Sequence, residues 1–360
     1  VFAFIFGLSN GPLTPTLLRK FAELLLSLGF VLIVIDYCRT WSRLERLVKF
    51  LLLMGAAAAV VAIGLWLLPD ATANTALNAL TRLGYPGGWV IRYIEENPAL
   101  SERAIGTSVD PNSLGGLLLM IGALVGPQVV TPRPILRRPL AWLIAGLVVV
   151  ALVLTFSRGA MLGLAAGLGF VPLARYRRLL PWLAVAALLL LFLPVTQGYI
   201  ARFVEGFQGT DLATQMRFGE YKDALILIGR YPLFGVGFAG TPDIDVYLAV
   251  ASVYFTIAGR MGLFGLSAFF GVIAVVFGYA FRHRHAARAD ERRDAVWLGL
   301  HAALVGALVA GVFDHYLFNM DFQHAVTIFW MVLGMAVAST RLGKEGDAAR
   351  EAREMSRGAG

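Results

Sequence analysis

The sequence predicts an all-α, polytopic integral membrane protein with about nine or ten transmembrane helices and one large extracytoplasmic loop. Three observations predict it. Of 360 residues, 58% are hydrophobic and 15% charged, where a soluble domain carries about 25% charged residues; mean hydropathy is +0.72. Apolar runs approaching the roughly 20 residues that cross a bilayer recur along the chain. Basic residues gather in alternate loops, the pattern that orients membrane helices.

The spanning segments are expected near 20–37, 50–68, 111–130, 140–156, 159–174, 180–195, 247–281, 295–313 and 322–340. They divide the chain into N-terminal membrane helices (1–195), a large outer loop (196–246), C-terminal membrane helices (247–340) and a tail (341–360). The chain opens at Val1 with VFAFIFGLSNG, which reads as the tail of a helix cut at its start. The segment at 247–281 is too long for one straight helix and is interrupted at AGRMG (258–262), which predicts a kinked or re-entrant helix. The single cysteine, Cys38, excludes an intrachain disulfide and a cysteine-built metal site.

The net charge of +8 is sorted by loop, which points to membrane orientation and away from nucleic acid. Arg39, Arg43, Arg46 and Lys49 share one loop; Arg133, Arg137 and Arg138 share another; Arg175, Arg177 and Arg178 a third. Arg282, Arg284, Arg288, Arg292 and Arg293 make the fourth group, and the tail after Arg341 the fifth. All five fall on one side, which the positive-inside rule assigns to the cytoplasm. Arg19 and Lys20 are the exception, at the outer end of a helix, where long basic side chains snorkel.

The opposite side then carries 69–110, the turn at Ser157–Arg158, the loop at 196–246 and DHYLFNMD (314–321). Arg158 therefore sits at the outer end of its helix, where snorkelling and a functional role are equally open. In the first loop, Asp110-Pro111-Asn112 starts a helix, with Asp110 as N-cap and Pro111 at the first helical position; that role outweighs catalysis for Asp110. Arg92, Glu95, Glu96, Glu102 and Arg103 are expected on an interfacial helix. In the large loop, MRFGEYKDALILIGRYP places Phe218, Tyr221, Leu225 and Ile228 at helical spacing, and Arg217 three residues before Glu220, where an ion pair would form. PLFGVGFAG (232–240) is a glycine-rich turn without the strand–helix context of a nucleotide site. The last outer turn holds Asp314, His315, Asp321 and His324 in no metal-binding spacing. Asp314 and His315 are candidates for a base or substrate contact, with a helix-end cap the competing role.

Five of these pieces occur together: DPN (110–112), TFSRGA (155–160), RFGEY (217–221), PLFGVG (232–237) and GLFGL (262–266). In that order, on that face, they resemble the O-antigen ligase and O-antigen polymerase family of bacterial membrane glycosyltransferases, over roughly residues 100–340. The resemblance implies a helical membrane fold with one large periplasmic loop. It implies transfer of a glycan from an undecaprenyl-pyrophosphate carrier to an acceptor hydroxyl of a glycan or glycolipid, without nucleotide sugar, metal or other cofactor. It implies that Arg158 and Arg217 are the family's two essential arginines, which handle the donor pyrophosphate. The chemistry agrees, because fixed guanidinium groups bind pyrophosphate oxygens bidentately and stabilise the charge that grows on a departing pyrophosphate. Tyr221 and Asn112 join the substrate-binding candidates.

One departure stands out. Ligases of the family carry histidine in H-N-x-Y-L-x-x-x-x-E-x-G; the matching segment here is ASVYFTIAGRMG (251–262), with Ala251 at the histidine and Arg260 at the acidic position. That weakens the ligase reading and favours a polymerase-like or other glycan-transferring member. Arg260 is then either a further phosphate or sugar contact or the partner of an outer carboxylate such as Asp243 or Asp245. His315, Asp314 and Glu220 are, in that order, the candidate bases.

Two other function classes compete with the enzyme. A flippase or transporter for lipid-linked glycan calls for charges deep in several helices and inverted repeats; Glu23 and Asp36 lie near segment ends, His301 lies within one, and no repeat is evident. A non-catalytic family member is the other alternative. No pore-loop signature supports a channel. The expected location is the bacterial cytoplasmic membrane, with the site facing the periplasm or exterior and membrane lipid around it.

Overall fold

The computed structural model describes residues 1–181, 184–185, 194–209, 211–241 and 250–358. A short helix α1 (Phe2–Gly7) leads to α2 (Pro15–Tyr37), capped by Thr14, whose side chain accepts from Leu17 N. Next come α3 (Trp41–Trp66) and α4 (Asp70–Asn78). A two-residue strand β1 (Arg92–Tyr93) pairs antiparallel with β2 (Glu102–Arg103). Helix α5 (Pro111–Val130) starts as expected: Asp110 Oδ1 accepts from the backbone N–H groups of Asn112 and Ser113. Then follow α6 (Arg138–Leu154), α7 (Arg158–Ala174), α8 (Pro194–Gln208), α9 (Leu212–Arg230), α10 (Val253–Arg282), α11 (Glu291–Ala310) and α12 (Gln323–Gly358).

The fold is all-α and polytopic, with five helices long and apolar enough to cross a membrane: α3, α5, α10, α11 and residues 323–346 of α12. Helices α6 and α7 are apolar but shorter. Helix α2 carries Arg19, Lys20 and Glu23 near its start and Asp36 near its end. The nine expected spans thus resolve into these helices, except that most of 180–195 lies outside the described residues.

The centre of the bundle is α5 and α11, whose most apolar windows are each 78% buried, and α12, at 72%. Helix α7 lies against α11 through a stripe of small residues. A Cβ on Gly163 would meet the Gly306 carbonyl at 2.6 Å, and one on Gly167 the Ala302 carbonyl at 2.6 Å. Backbones approach this closely only where side chains are absent, as in membrane helix pairs generally. The outward faces of α3, α6 and α10 expose Phe50, Trp142, Leu143, Phe264 and Val275, which suits an apolar solvent.

Three expectations change. Residues 92–103 do not form an interfacial helix: the β1–β2 pair is held to the bundle by Ala104 N donating to the Leu154 carbonyl (2.8 Å) and Trp66 Nε1 to the Glu102 carbonyl (3.2 Å). Arg19 and Lys20 do not simply extend outward, since Lys20 pairs with Asp321 and Arg19 lies 3.8 Å from Glu23. Helix α9 turns Ala224 and Leu227 inward, while Phe218 and Leu225 are 57% and 59% exposed.

The break predicted at AGRMG is real. Gly262 sits at φ 67°, ψ −174° inside α10, a backbone region open to glycine. An unbroken helix would bond Leu263 N to Gly259 O and Phe264 N to Arg260 O. Here the PLFGVG turn takes both sets. Val236 N donates to Gly259 O (2.9 Å) and Gly237 N to Arg260 O (2.9 Å), while Leu263 N donates to Pro232 O (2.7 Å) and Phe264 N to Leu233 O (3.3 Å). Two ladder bonds become four interchain-like bonds, so a break at membrane depth leaves none of these groups unpaired.

Candidate functional site

At the end of the bundle opposite the basic loops, a cavity of about 240 Å³ opens between α7, α8, α9 and the turn after α11. Its wall brings together Arg158, Arg217 and Tyr221, with Gly206, Thr214 and Phe313 beside them.

Arg158 is the first residue of α7, set by the tight turn Thr155-Phe156-Ser157. Phe156 takes φ 52°, a left-handed conformation that costs a side-chain-bearing residue about 1–3 kcal/mol. The turn is held by Thr155 Oγ1 donating to the Leu152 carbonyl (2.6 Å) and accepting from Ser157 N (3.2 Å). From outside, Arg103 Nε donates to the Thr155 carbonyl (2.9 Å) and its Nη2 to Asn112 Oδ1 (2.7 Å). Arg103, expected on an interfacial helix, instead ties the DPN and TFSRGA motifs together.

The Arg158 guanidinium is aimed by Asp211. Nη2 donates to Asp211 Oδ2 at 2.5 Å, with Thr214 Oγ1 at 3.4 Å. Asp211 also caps α9 through Thr214 N. Burial pushes the Asp211 carboxyl upward, but the hydrogen bonds from Arg158 and Thr214 outweigh it and hold the group below its ordinary value. On α8, Gly206 leaves room: a Cβ there would lie 2.4 Å from Arg158 Nη1. The sequence reading missed Asp211. Its signal was a local cap pattern, Asp before L-A-T, with nothing to connect it to a residue 53 positions earlier.

Arg217, one turn into α9, faces the same cavity, and among the described residues its guanidinium makes no ion pair. The expected Arg217–Glu220 pair does not form. Glu220 Oε2 instead accepts from Ala251 N (2.8 Å), just ahead of α10, because a backbone N–H at a helix start is a fixed donor with no other acceptor. Tyr221 presents its ring to the cavity and its hydroxyl to the carbonyls of Ala251 (3.1 Å) and Val312 (3.0 Å); burial raises its phenol. Glu220 and Tyr221 thus both hold the backbone of Ala251 against α9.

Asp314 and His315 follow the wall residue Phe313. Their side chains are 13% and 23% exposed, with Asp314 Oδ1 3.8 Å from His315 Nδ1. Asp314 Oδ1 accepts from His315 N, and Asn319 Nδ2 lies 3.3 Å from His315 Nδ1. Burial raises the Asp314 carboxyl, and Asp110 raises it further; His315 and Arg217 pull the other way without cancelling the rise. Asn112, Glu220 and Arg260 stand outside the cavity wall. Arg260 packs over Phe238 (5.6 Å) beside the PLFGVG turn, while Asp243 and Asp245 lie outside the described residues. Among the described residues, no group of three or more His, Cys, Asp and Glu is placed to hold a metal ion.

Residues 143–270 match the family model described as O-antigen ligase. The match spans Arg158, Arg217, the PLFGVG turn and the Ala251 segment, and it supports the O-antigen ligase and polymerase family that the motifs resemble. No curated protein matches the chain.

Proposed function

We propose that the chain is a glycosyltransferase of the cytoplasmic membrane that moves a glycan from an undecaprenyl-pyrophosphate carrier to an acceptor hydroxyl on the outer side. The observation that carries this reading is the convergence of Arg158 and Arg217 on one cavity at the end away from the basic loops. The two side chains come from elements far apart in sequence, and two guanidiniums converging on one cavity call for an anion.

In this reading the donor pyrophosphate enters the cavity and meets Arg217 directly. Arg158 is held ready by Asp211, so little reorganisation accompanies the reaction. The acceptor oxygen bonds to the anomeric carbon as the bond from that carbon to the pyrophosphate oxygen breaks, and the electron pair departs with the pyrophosphate. The acceptor proton goes to Asp314 or His315, which lie outside the wall and follow the wall residue Phe313 in the chain; a carboxyl raised by burial is a better base than an ordinary one. Glu220 is engaged with Ala251 N. With Ala251 where ligases carry histidine, the reading favours joining repeat units over attachment to a core acceptor.

The test is turnover in vesicles of purified protein with undecaprenyl-pyrophosphate oligosaccharide, followed by mass spectrometry for wild type, Arg158→Ala, Arg217→Ala, Asp314→Asn and His315→Ala. A ladder of longer lipid-linked glycans, lost in both arginine variants, supports the polymerase. Donor that binds but never changes mass, with acceptor present, overturns transfer and leaves a flippase or a non-catalytic member.

A further inference from the structure

At the basic end of the bundle a second cavity, of about 530 Å³, opens between α7, α10 and α11. It shares no residue with the site above. One wall residue is already neutralised: Arg175, 7% exposed, holds Asp294, 11% exposed, at 3.1 Å behind the wall. Arg175 also donates to the Arg284 carbonyl and lies 5.2 Å over the Trp297 ring. Three further guanidiniums, Arg177, Arg284 and Arg288, line the mouth. Among the described residues none of the three has a carboxylate partner: Arg284 donates to the Phe281 carbonyl (3.0 Å) and Arg288 lies 3.1 Å from His285 Nδ1. Desolvation, then Arg288, Arg284 and Arg175, hold His285 below its ordinary value.

Two observations say what kind of anion fits. The cavity is continuous with an apolar outward face, where Leu173 is 62% and Phe281 67% exposed. And one polar atom in the wall has no partner. His301, 1% exposed, donates through Nδ1 to the Trp297 carbonyl (2.7 Å), so in the neutral ring Nε2 carries a lone pair, yet Nε2 is buried without a hydrogen bond. A buried acceptor left unmade costs about 1–3 kcal/mol. A ligand with a phosphate, a hydroxyl and hydrocarbon chains matches all three features.

We propose that this cavity is a binding site for an anionic phospholipid with a glycerol headgroup. Its phosphate is held by Arg177, Arg284 and Arg288. A headgroup hydroxyl donates to His301 Nε2, and the acyl chains run out along Leu173 and Phe281. Basic pockets between membrane helices are general sites for such headgroups. Phosphate relieves the repulsion among three uncompensated guanidiniums, so the lipid also ties α7, α10 and α11 together at this end.

The full chain in detergent, titrated with phosphatidylglycerol, cardiolipin, phosphatidic acid or phosphatidylcholine and read by native mass spectrometry, tests this. Phosphatidylglycerol and cardiolipin adducts are expected at least about tenfold below the concentration phosphatidylcholine needs, a difference of about 1.4 kcal/mol. The double variant Arg284→Gln/Arg288→Gln should lose that preference, while Arg133→Gln/Arg137→Gln, which removes equal charge from the same end, should keep it. His301→Phe should keep the preference for phosphatidic acid over phosphatidylcholine but lose that for phosphatidylglycerol over phosphatidic acid. Equal loss in both double variants, no preference for anionic lipid, or full competition by inorganic phosphate or glycerol phosphate would each overturn the proposal.

Discussion

Arg158 Nη2 donates to Asp211 Oδ2 at 2.5 Å, joining the first residue of α7 to the cap of α9. One carboxylate therefore does two things: it starts the helix that carries Arg217 and it fixes the direction of Arg158. The two cavity arginines are set relative to each other through Asp211.

Replacing Asp211 separates these roles. Asp211→Asn keeps an N-cap of equal quality but gives up the charge that aims Arg158. Turnover should fall by about tenfold with the melting temperature nearly unchanged, whereas Arg158→Ala and Arg217→Ala should each lose about 10²–10³-fold, the scale of a lost oxyanion donor. Steady-state rates on lipid-linked donor, beside a thermal melt, check both. Equal losses in Asp211→Asn and Arg158→Ala would mean that the carboxylate does more than aim.

Gly206→Ala tests the same geometry from the other side. The new methyl would meet the flexible end of Arg158, not backbone, so the guanidinium should move and the fold should not. Weaker donor binding with an unchanged melting temperature is expected; a titration of donor by mass spectrometry reads it.

The pH dependence of turnover follows from Asp314. A base must be ionised to accept a proton, and burial raises this carboxyl above the ordinary aspartate value. If Asp314 is the base, the acid limb of kcat/KM should fall at a pH above about 4, and Asp314→Asn should abolish activity at every pH. A limb that persists in Asp314→Asn and vanishes in His315→Ala assigns the base to His315.

Stability should respond to Glu102. Burial, with Asp70 adding to it, pushes its carboxyl up to about 7. A raised carboxyl stabilises the fold below its unfolded value and loses that contribution as pH rises through the folded one. Between about pH 4.5 and 7 wild type should therefore lose stability relative to Glu102→Gln. Melting temperatures across that window measure the difference, which should be flat above it.

What was legible in the sequence were features whose cause is local. Asp110-Pro111 announces a helix start because cap and proline act within one turn. The AGRMG break shows because a 35-residue apolar run exceeds one span. The two arginines were found by their motifs and by the face on which alternating basic loops placed them. What stayed hidden was nonlocal or lacked a period. Asp211 reaches Arg158 across the bundle. The β1–β2 pair is two residues on each side, too short for alternation to register. Helical spacing on α9 grouped Phe218 with Leu225, whereas the buried residues are Ala224 and Leu227, and it suggested Arg217–Glu220 because spacing on a helix permits an ion pair without knowing that Ala251 N competes for the carboxylate.

The exchange of bonds between PLFGVG and the break in α10 makes those two segments one mechanical part. The stretch from Val253 to Gly262 is tied to the turn at 232–237 as firmly as to the rest of its own helix. Opening either alone would strand carbonyls or amides in an apolar medium, so neither opens alone. The amides of Val236, Gly237, Leu263 and Phe264 should then show one common opening free energy in hydrogen exchange, as a single cooperative unit spanning a loop and a membrane helix.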